Sequence, residues 1–147
     1  MNGLFDQRII GRRENAVFPA LHIGPVPVKI DTGAYSSAIH CSLIEVGEDG
    51  LLRVVFLEGE DPGFSGAVSK FKRFETRKVR SSNGHTEVRY AVRTGITFGS
   101  ETFRIRLTLA DRSSMRIPVL IGRRFLKRHR FVVDPAIKYQ LGMPDEI

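Results

Sequence analysis

Phe103, Ile105, Leu107 and Leu109 alternate with Thr102, Arg104, Arg106 and Thr108, and no other run limits the possible folds as sharply. Period-two alternation describes a strand with one face in a core and the other in water. Shorter versions recur. Ala38, His40 and Ser42 alternate with Ile39, Cys41 and Leu43, and Val88, Tyr90 and Val92 share a face within residues 87–98. Apolar runs cover 26–30, 51–57 and 117–121. One or two short strands are expected within 3–17, and terminal strands at 131–133 and 139–141. Prolines and glycines make 21–27 turn-rich, and 58–66 reads as a loop. Only 124–130 suggests a helix, short and basic. About nine strands, a short helix and no internal repeat predict an all-β chain folded as a small closed or semi-closed β-barrel. At 147 residues it is expected to be a single domain spanning 1–147.

Ser82-Asn83-Gly84-His85 predicts a tight hairpin, because Asn-Gly suits a two-residue turn with positive φ. That register sets Arg80 opposite Glu87, Val79 opposite Val88 and Lys78 opposite Arg89. Lys78, Arg80, Glu87 and Arg89 then share one face, and Arg77, Val79, Val88 and Tyr90 the other. The Lys78–Arg89 like-charge pair is destabilising in isolation. It suits either an ordinary solvated surface or a site that receives a carboxylate.

Residues 26–30, apolar but for Lys29, lead into Asp31-Thr32-Gly33-Ala34. A strand ending in this way places a carboxylate on a tight turn, beside a hydroxyl and a glycine that lets another backbone approach. A plain strand exit with an Asp bonding its own turn would look the same. Peptide hydrolysis by carboxylates needs two of them, one as base toward water and one protonated to polarise the carbonyl. Two carboxylates about 3 Å apart cannot both ionise readily and share a proton. None of Asp61, Asp111 and Asp134 both follows an apolar strand and precedes Thr-Gly or Ser-Gly. Catalysis by Asp31 would therefore need a second copy of itself across a two-fold axis.

Farther along, Pro118-Val119-Leu120-Ile121-Gly122-Arg123 precedes the expected helix. Asp-Thr-Gly-Ala followed by apolar-apolar-Gly-Arg resembles the retropepsin-like aspartic proteases. The likeness is closer to a branch of small bacterial and archaeal proteins labelled "ATP-dependent zinc protease" and associated with RimK-type ATP-grasp glutamate ligases. Ile10-Gly11-Arg12-Arg13-Glu14, residues 29–34, Ser36-Ser37-Ala38-Ile39-His40, Leu107-Thr108-Leu109, Met115, residues 118–123 and Val133-Asp134-Pro135 carry it. The residue after Asp-Thr-Gly-Ala is usually Arg in that branch and is Tyr35 here.

The resemblance implies a homodimeric aspartic peptidase. Asp31 of each subunit would activate water or hold the shared proton, Thr32 would brace the two loops, and Gly33 would admit the substrate backbone. Ala34 and Tyr35 would border the substrate. Gly122 would leave room for the active-site loop. Arg123 would cap or pair nearby, although its usual Asp partner in viral retropepsins falls where this chain has Tyr35 and Ser36. The hairpin 77–90 would be the flap, bringing Lys78, Arg80 and Arg89 to the substrate. His40 is expected to support the site through a backbone hydrogen bond rather than to act in catalysis.

A formal charge of +7 favours an acidic partner, or is simply a solvated basic surface. The ligase association suggests acidic, polyglutamate-like peptides as substrate and a functional link to a glutamate ligase. The alternative is a non-hydrolytic or weakly active binding module for acidic peptides on the same fold. Nucleic acid is a lesser reading: Phe71 and Phe74 interleave with Lys70, Lys72 and Arg73, a spacing that also suits core packing. His22, His40, His85 and His129 are scattered outside any His-Glu-x-x-His pattern, so no metal is expected. Without a P-loop no nucleotide is expected, and no other cofactor. One cysteine, Cys41, and the lack of a long apolar run lead to the expectation of a cytoplasmic protein without a membrane partner.

Overall fold

A computed structural model describes residues 8–80, 83–111 and 116–143. Ser82 of the hairpin signal and Met115 of the resemblance lie outside them. The described residues form eleven strands and one α-helix.

Strand β2 (Arg13–Phe18) runs antiparallel to β3 (Ile23–Ile30) across a 3-10 turn at Pro19–Leu21. The longest strand, β8 (Thr86–Phe98), turns through Gly99 and Ser100 into β9 (Glu101–Ala110). β9 lies parallel to β4 (Ser37–Val46), and β10 (Val119–Ile121) fits between β3 and β4, parallel to one and antiparallel to the other. The ring β10–β3–β2–β8–β9–β4 therefore closes on itself as a six-strand barrel, which removes the sheet edges. Outside it, β5 (Leu52–Phe56) and β6 (Ser69–Phe71) extend from β4, β7 (Glu75–Arg80) pairs with one end of β8, and β1 (Arg8–Gly11) pairs in parallel with β11 (Phe131–Asp134).

The alternation on β9 is realised: Phe103, Ile105, Leu107 and Leu109 are buried. Phe18, Ile39, Ile96, Leu107 and Ile121 fill the barrel with no exposed surface. Helix α1 (Arg123–Arg128) is too short to be stable alone and is held by Phe125 and Leu126. The Phe125 ring lies 6.1, 6.0 and 5.8 Å from the centroids of Phe98, Phe103 and Phe131. Phe71 and Phe74 pack against Phe56 and Tyr90, so the interleaved aromatics of the basic stretch serve packing. No helix among the described residues is long and apolar enough to cross a membrane.

Three expectations need correction. β3 starts at Ile23, inside the segment read as turns, where a register shift against β2 between Ala16 and Phe18 takes up the irregularity. Residues 139–141 form no strand; their backbone is tied instead to the β1–β2 corner. Tyr139 N–H donates to Arg13 O at 2.8 Å, and Gln140 and Leu141 N–H both donate to the Glu14 carboxylate at 3.0 Å.

The hairpin register is the third, and it slips by one residue. Arg77 faces Arg89, Lys78 faces Val88, Val79 faces Glu87 and Arg80 faces Thr86. A one-residue slip exchanges every side chain between faces, so Lys78 and Arg89 point to opposite sides and cannot clamp one carboxylate. Arg89 pairs with Glu87 at 2.9 Å. The turn uses Asn83 differently from the expected two-residue form: its side-chain Oδ1 accepts the His85 N–H at 3.3 Å, ahead of Gly84 at φ +85°. The open end of the hairpin explains the choice. The expected register would place Glu75 opposite Val92, on the strand face that turns inward with Leu107. The observed one places it opposite Ala91 and within 2.8 Å of Arg106 and 3.5 Å of Arg93. Burial opposes ionisation of Glu75, but the two guanidiniums hold its carboxyl below the ordinary range. An ion-paired carboxylate outweighs an ideal turn.

Candidate active site

Asp31 stands where β3 leaves the barrel. Its own N–H donates to Ile121 O at 2.9 Å, and the preceding Ile30 N–H to Arg12 O at 2.9 Å, so both neighbours of β3 fix the strand end. The chain then turns: Ala34 N–H reaches Asp31 O at 3.3 Å, and Gly33 N–H donates to Asp31 Oδ1 at 2.9 Å. That bond orients the carboxylate and leaves its other lone pairs available. Asp31 is half-buried, while Thr32 and Gly33 are exposed on the same edge.

The loop is clamped from behind by the start of α1. A helix begins with backbone N–H groups that have no partner within it. Here the Asp31 loop and the start of β4 supply them: Gly122 N–H donates to Ser37 Oγ at 2.9 Å, Arg123 N–H to Ala34 O at 2.6 Å and Arg124 N–H to Tyr35 O at 3.0 Å. A Cβ on Gly122 would lie 2.6 Å from both the carbonyl carbon and oxygen of Ser36, so only glycine allows this approach. The Arg123 side chain resolves the question raised by Tyr35. Its Nη1 donates to Thr32 O at 2.9 Å, and its guanidinium carbon lies 5.5 Å from the centroid of the Tyr35 ring. A carbonyl and a ring face thus take the place of the expected carboxylate. Tyr35 itself is 58% exposed.

His40 is buried on β4, the strand that directly follows this loop in sequence. Its Nε2 lies 3.0 Å from Glu58 Oε1 and its Nδ1 3.6 Å from Asp111 Oδ1, so carboxylates flank the ring. Next to it, burial pushes the Cys41 thiol up to about 12, against a smaller opposing effect of a backbone hydrogen bond with Ala110. A thiol in this state holds almost no thiolate at neutral pH. Native protein is expected to resist iodoacetamide over hours and to react fully in denaturant. Rapid native labelling of Cys41, read by mass spectrometry, would contradict the burial.

Lys78 and Arg80 share one face of the hairpin with Val88, and Arg89 lies on the other, so the three are not brought together. Two features escaped the sequence reading. Glu14 is completely buried and accepts hydrogen bonds from Gly11, Gln140 and Leu141. The signal was its period-two relation to Ala16 and Phe18, which marks an inward position. The second is a group of arginines on β8, β9 and α1, which are far apart in sequence and lie together in one cleft. Among the described residues, no three His, Cys, Asp or Glu side chains converge as a metal site requires.

A closed six-strand barrel whose central strand ends in Asp-Thr-Gly, clamped by Gly-Arg at a helix start, is a retropepsin-like domain. Residues 9–142 match the RimB-like family, described as retropepsin-like aspartic endopeptidase RimB, and the chain belongs to that family. Relatives named probable alpha-L-glutamate ligase include one from Shewanella halifaxensis, 30% identical over 95% of this chain and 31% of the relative. Another, from Desulfotalea psychrophila, is 31% identical over 92% of this chain and 30% of the relative. The chain thus spans under a third of the length of these relatives. The crystal structure of Lpg0085 from Legionella pneumophila, a protein of unknown function, superposes with a TM-score of 0.60 at 21% identity, covering 91% of this chain and 98% of that one. That likeness concerns the fold.

Proposed function

We propose that the chain is an aspartic peptidase that works as a two-fold homodimer and prefers acidic, glutamate-rich peptides. The observation that carries this reading is the Asp31 loop. Its carboxylate is oriented by Gly33, its backbone is clamped by Gly122 to Arg124, and its tip is exposed beside Thr32. One loop supplies one carboxylate, and a second copy facing it completes the pair. One Asp31 takes a proton from water as the oxygen adds to the peptide carbonyl, and the other gives its proton to the carbonyl oxygen. Collapse of the tetrahedral adduct breaks the C–N bond: the departing amine takes the proton that the first Asp31 drew from water, and an adduct hydroxyl returns one to the other Asp31. The basic charge and the glutamate-ligase names of the relatives support an acidic substrate.

Purified protein is expected to sediment as a dimer and to cut Glu-rich peptides ahead of neutral ones of equal length, with products read by mass spectrometry. Full activity in a preparation that is monomeric at the assay concentration would remove the shared-dyad mechanism. Tight binding of acidic peptides without cleavage of any would leave a binding module on this fold.

A further inference from the structure

The hairpin does not bring Lys78, Arg80 and Arg89 together, but another part of the molecule gathers a larger group of cations. A cleft of about 330 Å³ opens where β9 runs past the end of β4, whose pairing with β9 starts only at Leu107. Five arginines line it: Arg93 from β8, Arg104 and Arg106 from β9, and Arg124 and Arg128 from α1. Ser36 and Ser37 of the active-site loop form part of the same wall. α1 is held against β9 here, with His129 Nε2 3.0 Å from Arg104 O.

Arg93 and Arg106 are direct cross-strand partners, and Arg124 and Arg128 are one helical turn apart. Both like-charge arrangements are unfavourable in isolation. Glu75 offsets the first pair, with contacts of 2.8 Å to Arg106 and 3.5 Å to Arg93. Among the described residues, Arg104, Arg124 and Arg128 have no carboxylate at ion-pair distance. The fold thus brings cations into one cavity and neutralises only part of it.

We propose that this cleft binds an acidic peptide segment through several successive carboxylates. The proposal rests on the peptidase reading for the path from the cleft to Asp31. Guanidinium groups bind carboxylates through paired, charge-assisted hydrogen bonds and lose little hydration in doing so. The volume equals that of roughly ten water molecules, more than a single oxyanion needs. Ser36 and Ser37 belong to the segment that follows the Asp31 turn, so the cleft adjoins the loop that carries the reacting carboxylate. Nucleic acid fits less well: the lining ring, Phe125, is 5% exposed and presents no face on which a base can stack.

The test compares two triple variants that remove the same charge, both in an Asp31→Asn background so that turnover does not intervene. One carries Arg104→Gln, Arg124→Gln and Arg128→Gln. The other carries Lys70→Gln, Lys72→Gln and Arg73→Gln, on and beside β6. Binding of fluorescein-labelled hexaglutamate is followed by anisotropy. The cleft variant is expected to bind at least tenfold more weakly and the β6 variant less than threefold. Arg128→Gln alone, an exposed change, is expected to weaken binding measurably if the triple variant does not fold.

Equal losses in the two triple variants would overturn the proposal in favour of diffuse charge. Displacement by inorganic phosphate at the same charge concentration as unlabelled hexaglutamate would also overturn it, in favour of a small-oxyanion site. So would a larger loss for a labelled oligonucleotide than for hexaglutamate. The peptidase reading is judged separately, by cleavage with Asp31 intact. Selective loss of binding without any cleavage sinks that reading and keeps the cleft, whereas cleavage with unchanged binding in the cleft variant does the reverse.

Discussion

Asp31→Asn is expected to lower kcat/KM for peptide cleavage by about a thousandfold or more, on the scale that positioned acid–base groups supply. In a homodimer the substitution removes both carboxylates at once. An amide cannot take a proton from water, and two amides cannot share one. The rest of the site has no reason to move. The side-chain oxygen of an Asn at position 31 still accepts the Gly33 N–H that Asp31 Oδ1 accepts at 2.9 Å. The loop stays pinned by Ser37, Ala34 and Tyr35 against the start of α1. Melting temperature and sedimentation are therefore expected to match the unmodified protein, and the dimer to be at least as tight, since two facing carboxylates no longer repel. Cleavage that persists in the Asn variant and stops on adding a chelator would place the chemistry on a metal instead.

The parts of this molecule that were legible in the sequence are those decided within a few residues. Alternation on β9 and the exit of β3 into Asp31 follow from local pattern, whereas the need for glycine at 122, set by the distant Ser36 backbone, was implied by the family resemblance alone. What was not legible depended on partners far along the chain. Asn83-Gly84 proposes a two-residue turn, but the hairpin register is decided at its other end, where Glu75 must face Arg93 and Arg106 rather than Val92. Arg104 and Arg106 read as the wet side of a strand, and Arg124 and Arg128 as the wet side of a helix. Only closure of the barrel puts the two wet sides against one cavity. Tyr35 looked like the loss of a partner for Arg123, and the fold supplies Thr32 O and the tyrosine ring in its place.

Glu14 makes the same point for stability. Glu14→Leu is expected to lower stability by roughly 3 kcal/mol or more, because a buried charge-assisted cluster loses its acceptor. For a chain of this size that is a melting-temperature drop on the order of 10 °C. Glu14 Oε2 accepts Gly11 N–H at 2.7 Å and Gln140 N–H at 3.0 Å, and Oε1 accepts Leu141 N–H at 3.0 Å. Leucine fills similar space but leaves those three donors without an acceptor. Glu14→Gln separates volume from hydrogen bonding. Its amide oxygen can serve the two donors on the Oε2 side, which sets its NH2 against Leu141 N–H. About half the loss is expected. The effect should reach the Asp31 loop, since the same corner holds both β3, through Ile30 N–H to Arg12 O, and the 135–143 segment, through Arg12 N–H to Ile137 O. Hydrogen exchange is expected to show lost protection at Gln140 and Leu141 first. A leucine variant that melts within about 2 °C of the unmodified protein, with both amides still protected, would mean that the carboxylate is not what fastens this segment to the barrel.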